Sequence, residues 1–224
     1  MPIYNAFLNK ISIEETKRYA GLKKTNFSNL EIEKACREVQ VLSMPQGSWE
    51  IYDYSCCSAE IQTSPIISLK SENLKKHLSF AQKLIFLAVT IGKDVETAIT
   101  HYFKSGKYSY SLLLDAAATT AVEQTADTIE KIIFAQYKTK GYHLLPRYSP
   151  GYGDWDIRFQ PNMLTLAKAN KVALTVTESC MLIPRKSITA VIGLVPNQVN
   201  LMTKNKSCRT CSQINCLARK ESIL

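Results

Sequence analysis

A loop at residues 146–155 contains the densest group of binding side chains in the sequence, including Arg147, Tyr148, Gly151 and Tyr152. An arginine can hold a carboxylate through two parallel hydrogen bonds. Tyrosine adds an aromatic face and a hydroxyl, and a glycine after a proline permits a positive φ or a close backbone approach. The loop is therefore either a site for a carboxylate-bearing ligand or a rigid surface turn with a solvated arginine.

A second group consists of Cys208, Cys211 and Cys216 in a polar segment near the end of the sequence. A C-x-x-C pair followed by a third thiolate suits zinc or an iron–sulfur cluster. Free thiols or a disulfide are the alternative. A fourth metal ligand would come from another of the seven cysteines or from a partner chain.

Other common site motifs are excluded by spacing. The sequence contains no G-x-x-x-x-G-K-[ST], so a P-loop is not predicted. Gly151 and Gly153 begin a G-x-G pattern, but Asp156 occupies its third glycine position and excludes a Rossmann fingerprint. The three histidines are scattered, and neither H-E-x-x-H nor a nucleophile elbow is present.

The clearest element that would position the loop is a long helix from about Ser109 to Lys140, closed by Gly141. Its middle, residues 115–123, carries mostly small side chains. These favour close approach by another backbone or a flat ligand, or they simply reflect the helix propensity of alanine. The predicted core stripe is Leu112, Leu113, Ala116, Ala117, Thr120, Ile129, Ile132 and Ile133.

Shorter elements complete the expected fold. Ser12, Ser28 and Ser71 are predicted N-caps. Strands are expected at residues 49–54, 84–89, 172–177 and 187–194, with helices at 94–104 (Val95, Ile99 and Phe103 inward) and 161–170. Because strands and helices do not alternate regularly, the prediction is an α+β fold with an antiparallel sheet over residues 1–200, followed by a cysteine-containing tail at 201–224.

Composition narrows the class of partner. Of 224 residues, 46% are hydrophobic and 21% charged, as in a globular protein, and the formal net charge is +9. The lysines are dispersed and not interleaved with aromatics, so no nucleic-acid partner is expected. The excess charge is either solvated or faces an acidic protein partner. The longest apolar run, 84–89, is too short for a membrane span, and no export signal precedes it, so a cytoplasmic location is expected.

Five sequence blocks resemble the activation domain of cobalamin-dependent methionine synthase. R-x-x-x-G-Y at Arg147, Gly151 and Tyr152 is similar to its S-adenosylmethionine-binding motif, and residues 177–187, TESCMLIPRKS, resemble its second signature. Three upstream blocks are similar to free-standing versions of the domain: Glu15-x-x-Arg18-Tyr19-x-Gly21, Thr90-Ile91-Gly92 and Val122-Glu123-x-x-Ala126-Asp127. The resemblance covers residues 10–195.

This resemblance implies a curved α+β domain, with a central antiparallel sheet flanked by helices and S-adenosylmethionine in a shallow groove. Arg147 would hold the methionyl carboxylate, and Glu123 would accept from the amino group. The backbone at Tyr148 and Gly151 would meet the adenine and the ligand chain, while Tyr152 would pack near the sulfonium. Two departures are that residues 154–156, Asp-Trp-Asp, replace a P-D-H segment, and that the family's final strand and tyrosine have no match after position 196.

The activity implied by the resemblance is reductive methylation. Cobalamin that has slipped to the cob(II) state gains an electron and takes the methyl group of S-adenosylmethionine, so no catalytic side chain is expected in this chain. The implied partners are a separate cobalamin-dependent methionine synthase, which carries the cobalamin, and a flavodoxin-like or ferredoxin-like electron donor. The alternatives are service to another corrinoid methyltransferase, or a non-catalytic S-adenosylmethionine-binding or docking protein.

Overall fold

The computed structural model describes residues 2–22, 25 and 27–199. They fold into an antiparallel sheet with a layer of helices on one face and a layer of shorter elements on the other. The strands of this sheet are β1 Ile3–Asn5, β2 Gln46–Ser55, β3 Glu60–Ile61, β4 Ile67–Ser68, β5 Lys83–Thr90, β6 Tyr142–Leu144 and β9 Ser187–Pro196. Their order in the sheet is β4-β3-β2-β5-β9-β6, and β1 pairs with the first half of β2.

The central strand β5 is covered on both faces. Its sequence, KLIFLAVT, is continuously apolar from Leu84 to Val89 because alternate side chains enter different cores. Ile85, Leu87 and Val89 belong to one core, whereas Leu84 and Phe86 belong to the other. The predicted strand at 84–89 is therefore confirmed.

Four helices form the first layer and a mixture of short elements forms the second. The first layer contains α1 Ile13–Tyr19, α2 Asn29–Leu42, α4 Asp94–Lys104 and α5 Tyr108–Lys138. The second contains α3 Glu72–His77, α6 Gln160–Leu166, two 3-10 turns and the hairpin of β7 Thr175–Val176 and β8 Leu182–Ile183. Within the described residues, no helix is long and apolar enough to cross a membrane.

The long helix α5 packs closely against both the sheet and α1. A Cβ at Gly47 in β2 would lie 2.3 Å from Cδ1 of Ile129, so a side chain at this strand position would displace that of Ile129. The hydroxyl of Thr16 in α1 donates to Thr120 Oγ1 at 3.2 Å. Ala117 and Ala121 are fully buried in the same core. The small residues of α5 therefore serve close helix packing.

Several details of the predicted elements are wrong. Leu112 and Ile132 are exposed because adjacent helical residues point about 100° apart, and their neighbours Leu113 and Ile133 face the core instead. Phe103 is exposed and packs edge-on against the Tyr108 ring.

The predicted elements around residues 161–177 are shorter than expected. Helix α6 ends at Leu166, and Val172 belongs to a 3-10 turn rather than a strand. Ala173 has a left-handed φ of 51°, which prevents an extended backbone before β7 begins at Thr175.

Candidate functional site

Arg147 lies just beyond β6, where the chain follows the edge of β9. The N–H of Leu145 donates to the carbonyl of Gly193 at 2.8 Å, and Tyr148 forms a two-bond bridge with Val191 at 3.0 and 2.8 Å. These sheet contacts fix the backbone on both sides of Arg147. Its side chain, which is 19% exposed, extends to α5.

Three carboxylates on one face of α5 surround the Arg147 guanidinium. Nη2 lies 2.6 Å from Asp127 Oδ1 and 3.2 Å from Glu123 Oε2, and Nε lies 3.5 Å from Glu130 Oε2. These acidic positions, i, i+4 and i+7, share one helix face. Arg147 Nη1 is buried and has no hydrogen-bond partner among the described residues. The predicted pair of Arg147 and Glu123 is therefore brought together, with one guanidinium donor lacking an acceptor.

The carboxylates differ in their surroundings. Burial raises the pKa of Glu130, and the positive charge of Arg147 only partly opposes this effect. The side chain of Glu130 is 30% exposed, whereas that of Asp127 is 53% exposed. The negative charge of Glu130 is thus costlier to maintain and less screened by water than that of Asp127.

Helix α1 lies beside this cluster. The N–H of Ser12 donates to Gln124 Oε1 at 3.1 Å, which ties the start of α1 to α5 next to Glu123. Arg18 donates to Glu15 and lies 4.0 Å above the Tyr19 ring. Burial raises the pKa of Tyr19, and the nearby charge of Glu123 adds to this shift. Two blocks separated by about a hundred residues in sequence therefore meet here.

The loop at 146–155 depends on two glycines. Gly151 has a φ of +91°, and its N–H donates to the Trp155 carbonyl at 2.7 Å. Gly153 has a φ of +58°, and a Cβ there would lie 2.6 Å from the hydroxyl of Tyr148. A side chain at either position would strain the backbone, and one at Gly153 would also displace the Tyr148 ring.

The two tyrosines of the loop have different surroundings. The Tyr148 ring lies 6.1 Å from Trp155 and 5.4 Å from His77, and its hydroxyl donates to the Tyr152 carbonyl at 3.3 Å. The side chain of Tyr152 is 63% exposed, so its ring face is open to a ligand. The N–H groups of Tyr148 and Gly151 are both hydrogen-bonded within the protein, and the contact of these backbones with a ligand stays a prediction.

Asp154 and His77 anchor the loop, a role that was not predicted for either residue. The Asp154 carboxylate accepts from the Ser71 hydroxyl, from the N–H of Glu72 at 2.8 Å and from the N–H of Asn73 at 3.2 Å. The Ser71 hydrogen bond, supported by those backbone N–H groups, lowers the pKa of Asp154. His77 Nε2 donates to the carbonyl of residue 146 at 2.8 Å. The sequence predicted an N-cap at Ser71, but it contained no pattern that indicates a contact between Ser71 and Asp154.

The second signature block, 177–187, links the hairpin to the helical layer. Thr177 closes the β7–β8 turn by accepting from the Met181 N–H at 3.0 Å. Lys186 Nζ lies 2.9 Å from Asp115 Oδ1 of α5, and Arg185 Nε lies 3.5 Å from Glu96 Oε2 of α4. This block therefore orients the start of β9, the strand against which the Arg147 loop is paired.

Two grooves of about 330 Å³ lie on either side of Asp127 and Lys131. One is lined by Glu130, Phe134 and Leu144, and the other reaches Glu15 and Gln124 of α1 and α5. Their volumes are at the lower end of the range for small-molecule sites. Cavities of about 420 and 470 Å³ lie at the α4 end of the molecule, away from Arg147. Arg147 does not itself line either groove, but it contacts Asp127, which lines both, and Glu130, which lines one. We call these two the Arg147 grooves and favour them because charged groups converge beside them.

The predicted metal ligands Cys208, Cys211 and Cys216 lie outside the described residues. Across the described part of the chain, no group of three or more His, Cys, Asp or Glu side chains could hold a metal ion. Cys36, considered as a fourth ligand, is buried 3.5 Å from the Thr16 hydroxyl, and burial raises the pKa of its thiol. The zinc or iron–sulfur site remains a prediction.

Comparison with known proteins shows the fold. No protein-family model and no curated protein matches this chain. Among solved structures, the chain is similar to the MetH reactivation domain bound to AdoHcy, with a TM-score of 0.59 and 12% sequence identity. The match covers 88% of this chain and 78% of that one. The chain therefore has the fold of the MetH reactivation domain, which confirms the predicted α+β architecture with its antiparallel sheet and one long helix.

Proposed function

We propose that this protein binds S-adenosylmethionine at the Arg147 grooves and supports reductive methylation of cob(II)alamin carried by a separate cobalamin-dependent methionine synthase in the cytoplasm. The observation that carries the proposal is the buried Arg147 Nη1, a cationic donor with no acceptor among the described residues, beside the carboxylate of Glu123. The AdoHcy bound in the structural neighbour supports a ligand of this class.

The charges of the methionyl group match those of the site. Its carboxylate would accept from Arg147 Nη1, and its ammonium group would donate to Glu123 in exchange for part of the existing ion pair. Charge-assisted hydrogen bonds of this kind are about twice as strong as neutral ones. The exposed ring of Tyr152 offers the sulfonium a π face, which attracts cations.

The contribution of this chain to methyl transfer is orientation. Reduced cobalamin on the partner supplies the nucleophile, so the protein needs no general base. Arg147 and Glu123 would fix one end of the ligand, and the loop held by Asp154 and His77 would fix the other. Positioning a reactive methyl group is an effective use of binding energy because orientation can remove several kcal/mol from a barrier.

The net charge of +9 supports an acidic partner for this chain, either the corrinoid protein or a flavodoxin-like or ferredoxin-like electron donor. Cys208, Cys211 and Cys216 would add an electron route if they hold an iron–sulfur cluster, or a structural support if they hold zinc.

The test is reactivation of a methionine synthase lacking an activation domain and trapped as cob(II)alamin. With a reductant and S-adenosylmethionine carrying an isotopically labelled methyl group, the chain should produce labelled methylcobalamin. Omission of the chain and the variant Arg147→Gln are the controls, and both should leave cob(II)alamin unchanged. Binding of S-adenosylmethionine without labelled product from this or other corrinoid proteins would favour the non-catalytic docking alternative.

A further inference from the structure

The carboxylates around Arg147 outnumber the cations. Glu123, Asp127 and Glu130 face one guanidinium, which leaves two negative charges, and Lys131 in the same groove balances one of them. The nearby Glu15 carboxylate is paired with Arg18 and adds no net charge. The groove therefore remains negative although Arg147 contacts all three carboxylates.

A negative groove distinguishes two otherwise similar ligands. S-adenosylmethionine and AdoHcy share the adenosine, the carboxylate and the ammonium group, but only S-adenosylmethionine carries the methylated, positively charged sulfonium. A fixed negative potential stabilises the extra charge and leaves the common parts unaffected. Because Glu130 is partly buried, its charge is less screened than one on an open surface.

We infer that Asp127 and Glu130 make this site selective for positively charged S-adenosylmethionine over neutral AdoHcy, an inference that rests on the proposed function. Asp127 has a second effect, because its contact with Arg147 Nη2 at 2.6 Å occupies a donor that the ligand carboxylate can use. Removing the Asp127 charge frees that donor for both ligands but lowers the advantage of the sulfonium only for S-adenosylmethionine. The selectivity ratio therefore falls even where the affinity for AdoHcy rises.

The assigned role of Asp127 and Glu130 also affects release of the product. Transfer of the methyl group converts a cationic ligand into a neutral one in the same place. The loss of that charge weakens the attraction of the Asp127 and Glu130 carboxylates for the product. Release of AdoHcy is thereby favoured after the methyl group has left.

The experiment measures the dissociation constants of S-adenosylmethionine and AdoHcy for wild type, Asp127→Asn and Glu130→Gln by calorimetry. The matched control is Glu33→Gln, which removes one carboxylate charge from an exposed ion pair on α2. We expect wild type and control to prefer S-adenosylmethionine by about tenfold, the effect of one unit charge at moderate distance and screening. Each site variant should reduce that ratio several-fold.

A third ligand tests whether the preference for S-adenosylmethionine arises from its charge or from its shape. An S-adenosylmethionine analogue with a protonated amine in place of the methylsulfonium group should bind like S-adenosylmethionine to wild type and lose its advantage over AdoHcy in Asp127→Asn. If wild type binds S-adenosylmethionine and AdoHcy equally, or if both variants keep the wild-type ratio, the selectivity inference is wrong and the proposed function stands. If wild type binds none of the three ligands, the proposed function is wrong and the inference falls with it.

Discussion

The two halves of the candidate site are built by different means. The helical half presents Glu123, Asp127 and Glu130 from α5, whose backbone is held by its own hydrogen bonds and by packing on the sheet. The loop half, residues 146–155, relies on two left-handed glycines and on side chains such as Asp154 and His77 that bond to distant backbone groups.

Because of this difference, substitutions in the two halves should change different properties: charge in the helical half and backbone geometry in the loop half. A substitution of an acidic residue on α5 changes the potential of the groove and leaves the helix in place. A substitution in the loop moves backbone, and with it both Arg147 and Tyr152. Substitutions in the helical half should therefore change ligand selectivity. Substitutions in the loop half should change the stability of the protein and its affinity for every ligand.

The largest effect on stability is expected from Gly153→Ala. The new Cβ combines a positive φ with a 2.6 Å approach to the Tyr148 hydroxyl, so we expect a loss of about 1–3 kcal/mol in the free energy of unfolding, measured by urea denaturation. Gly106→Ala is the control, because its φ is also positive but, apart from its chain neighbours, no atom of the described residues lies within 4 Å of the added Cβ. A loss no greater than that of the control would show that the Tyr148 contact does not constrain the loop.

A smaller effect, dependent on pH, is expected from Asp154→Asn. Hydrogen bonds from Ser71 and from the start of α3 lower the folded pKa of Asp154, so its stabilisation is fully present above the ordinary aspartate pKa of about 3.9 and is lost as pH falls through the lower folded value. The melting temperature of the variant should depend less on pH in this acidic window.

Asp156→Asn is the comparison for Asp154→Asn. Hydrogen bonding by Arg158 lowers the pKa of Asp156 to about 2, but this contact is local and does not tie the loop to α3. Both variants should make the melting temperature depend less on pH in the acidic range, and only Asp154→Asn should also weaken ligand binding. Equal ligand affinity in the two variants would contradict the anchoring role of Asp154.

In the helical half, Glu130→Gln should not destabilise the fold at neutral pH. Burial raises the pKa of Glu130, so the folded state holds its proton more tightly and its stability contribution falls as pH rises above the ordinary glutamate value of about 4.3. The amide removes this dependence. Thermal denaturation between pH 4 and 8 should show a flatter profile for the variant, and a marked loss of stability at pH 7 would show that the Arg147 pair outweighs the cost of burial.

The smallest effect is expected from removal of residues 204–224. Every residue assigned to the Arg147 site precedes this segment in the sequence, so we expect calorimetry to show an unchanged affinity for S-adenosylmethionine. Metal analysis of the intact protein prepared without oxygen tests the cysteine prediction separately. Iron with matching sulfide would support an electron route, zinc would support a structural site, and neither metal with three freely alkylated thiols would refute both.

The sequence predicted the regular elements better than the contacts between distant segments. The apolar run of β5 and the period of α5 are local patterns, whereas the choice of Leu113 over Leu112 for the core depends on the orientation of the whole helix. The capping of α3 by Asp154 joins positions 83 residues apart and leaves no local pattern.

For the site, the R-x-x-x-G-Y block located Arg147, and Glu123 came from the resemblance. Asp127 and Glu130 could have been added from their i+4 and i+7 spacing on the same helix. The sequence pattern did not indicate that all three carboxylates converge on one guanidinium, because that contact depends on how the chain beyond β6 passes α5.

The most direct test of the central claim is calorimetric titration of S-adenosylmethionine into wild type, Arg147→Gln and the control Arg37→Gln, an exposed arginine paired on α2. We predict saturable binding by wild type and the control, and a loss of about 2–4 kcal/mol in binding free energy for Arg147→Gln, the scale for removing one partner of a buried charge pair. Circular dichroism of each variant would confirm that the fold is intact. Absence of binding by wild type would contradict the proposed function, and equal binding by wild type and Arg147→Gln would contradict the assignment of the ligand carboxylate to Arg147.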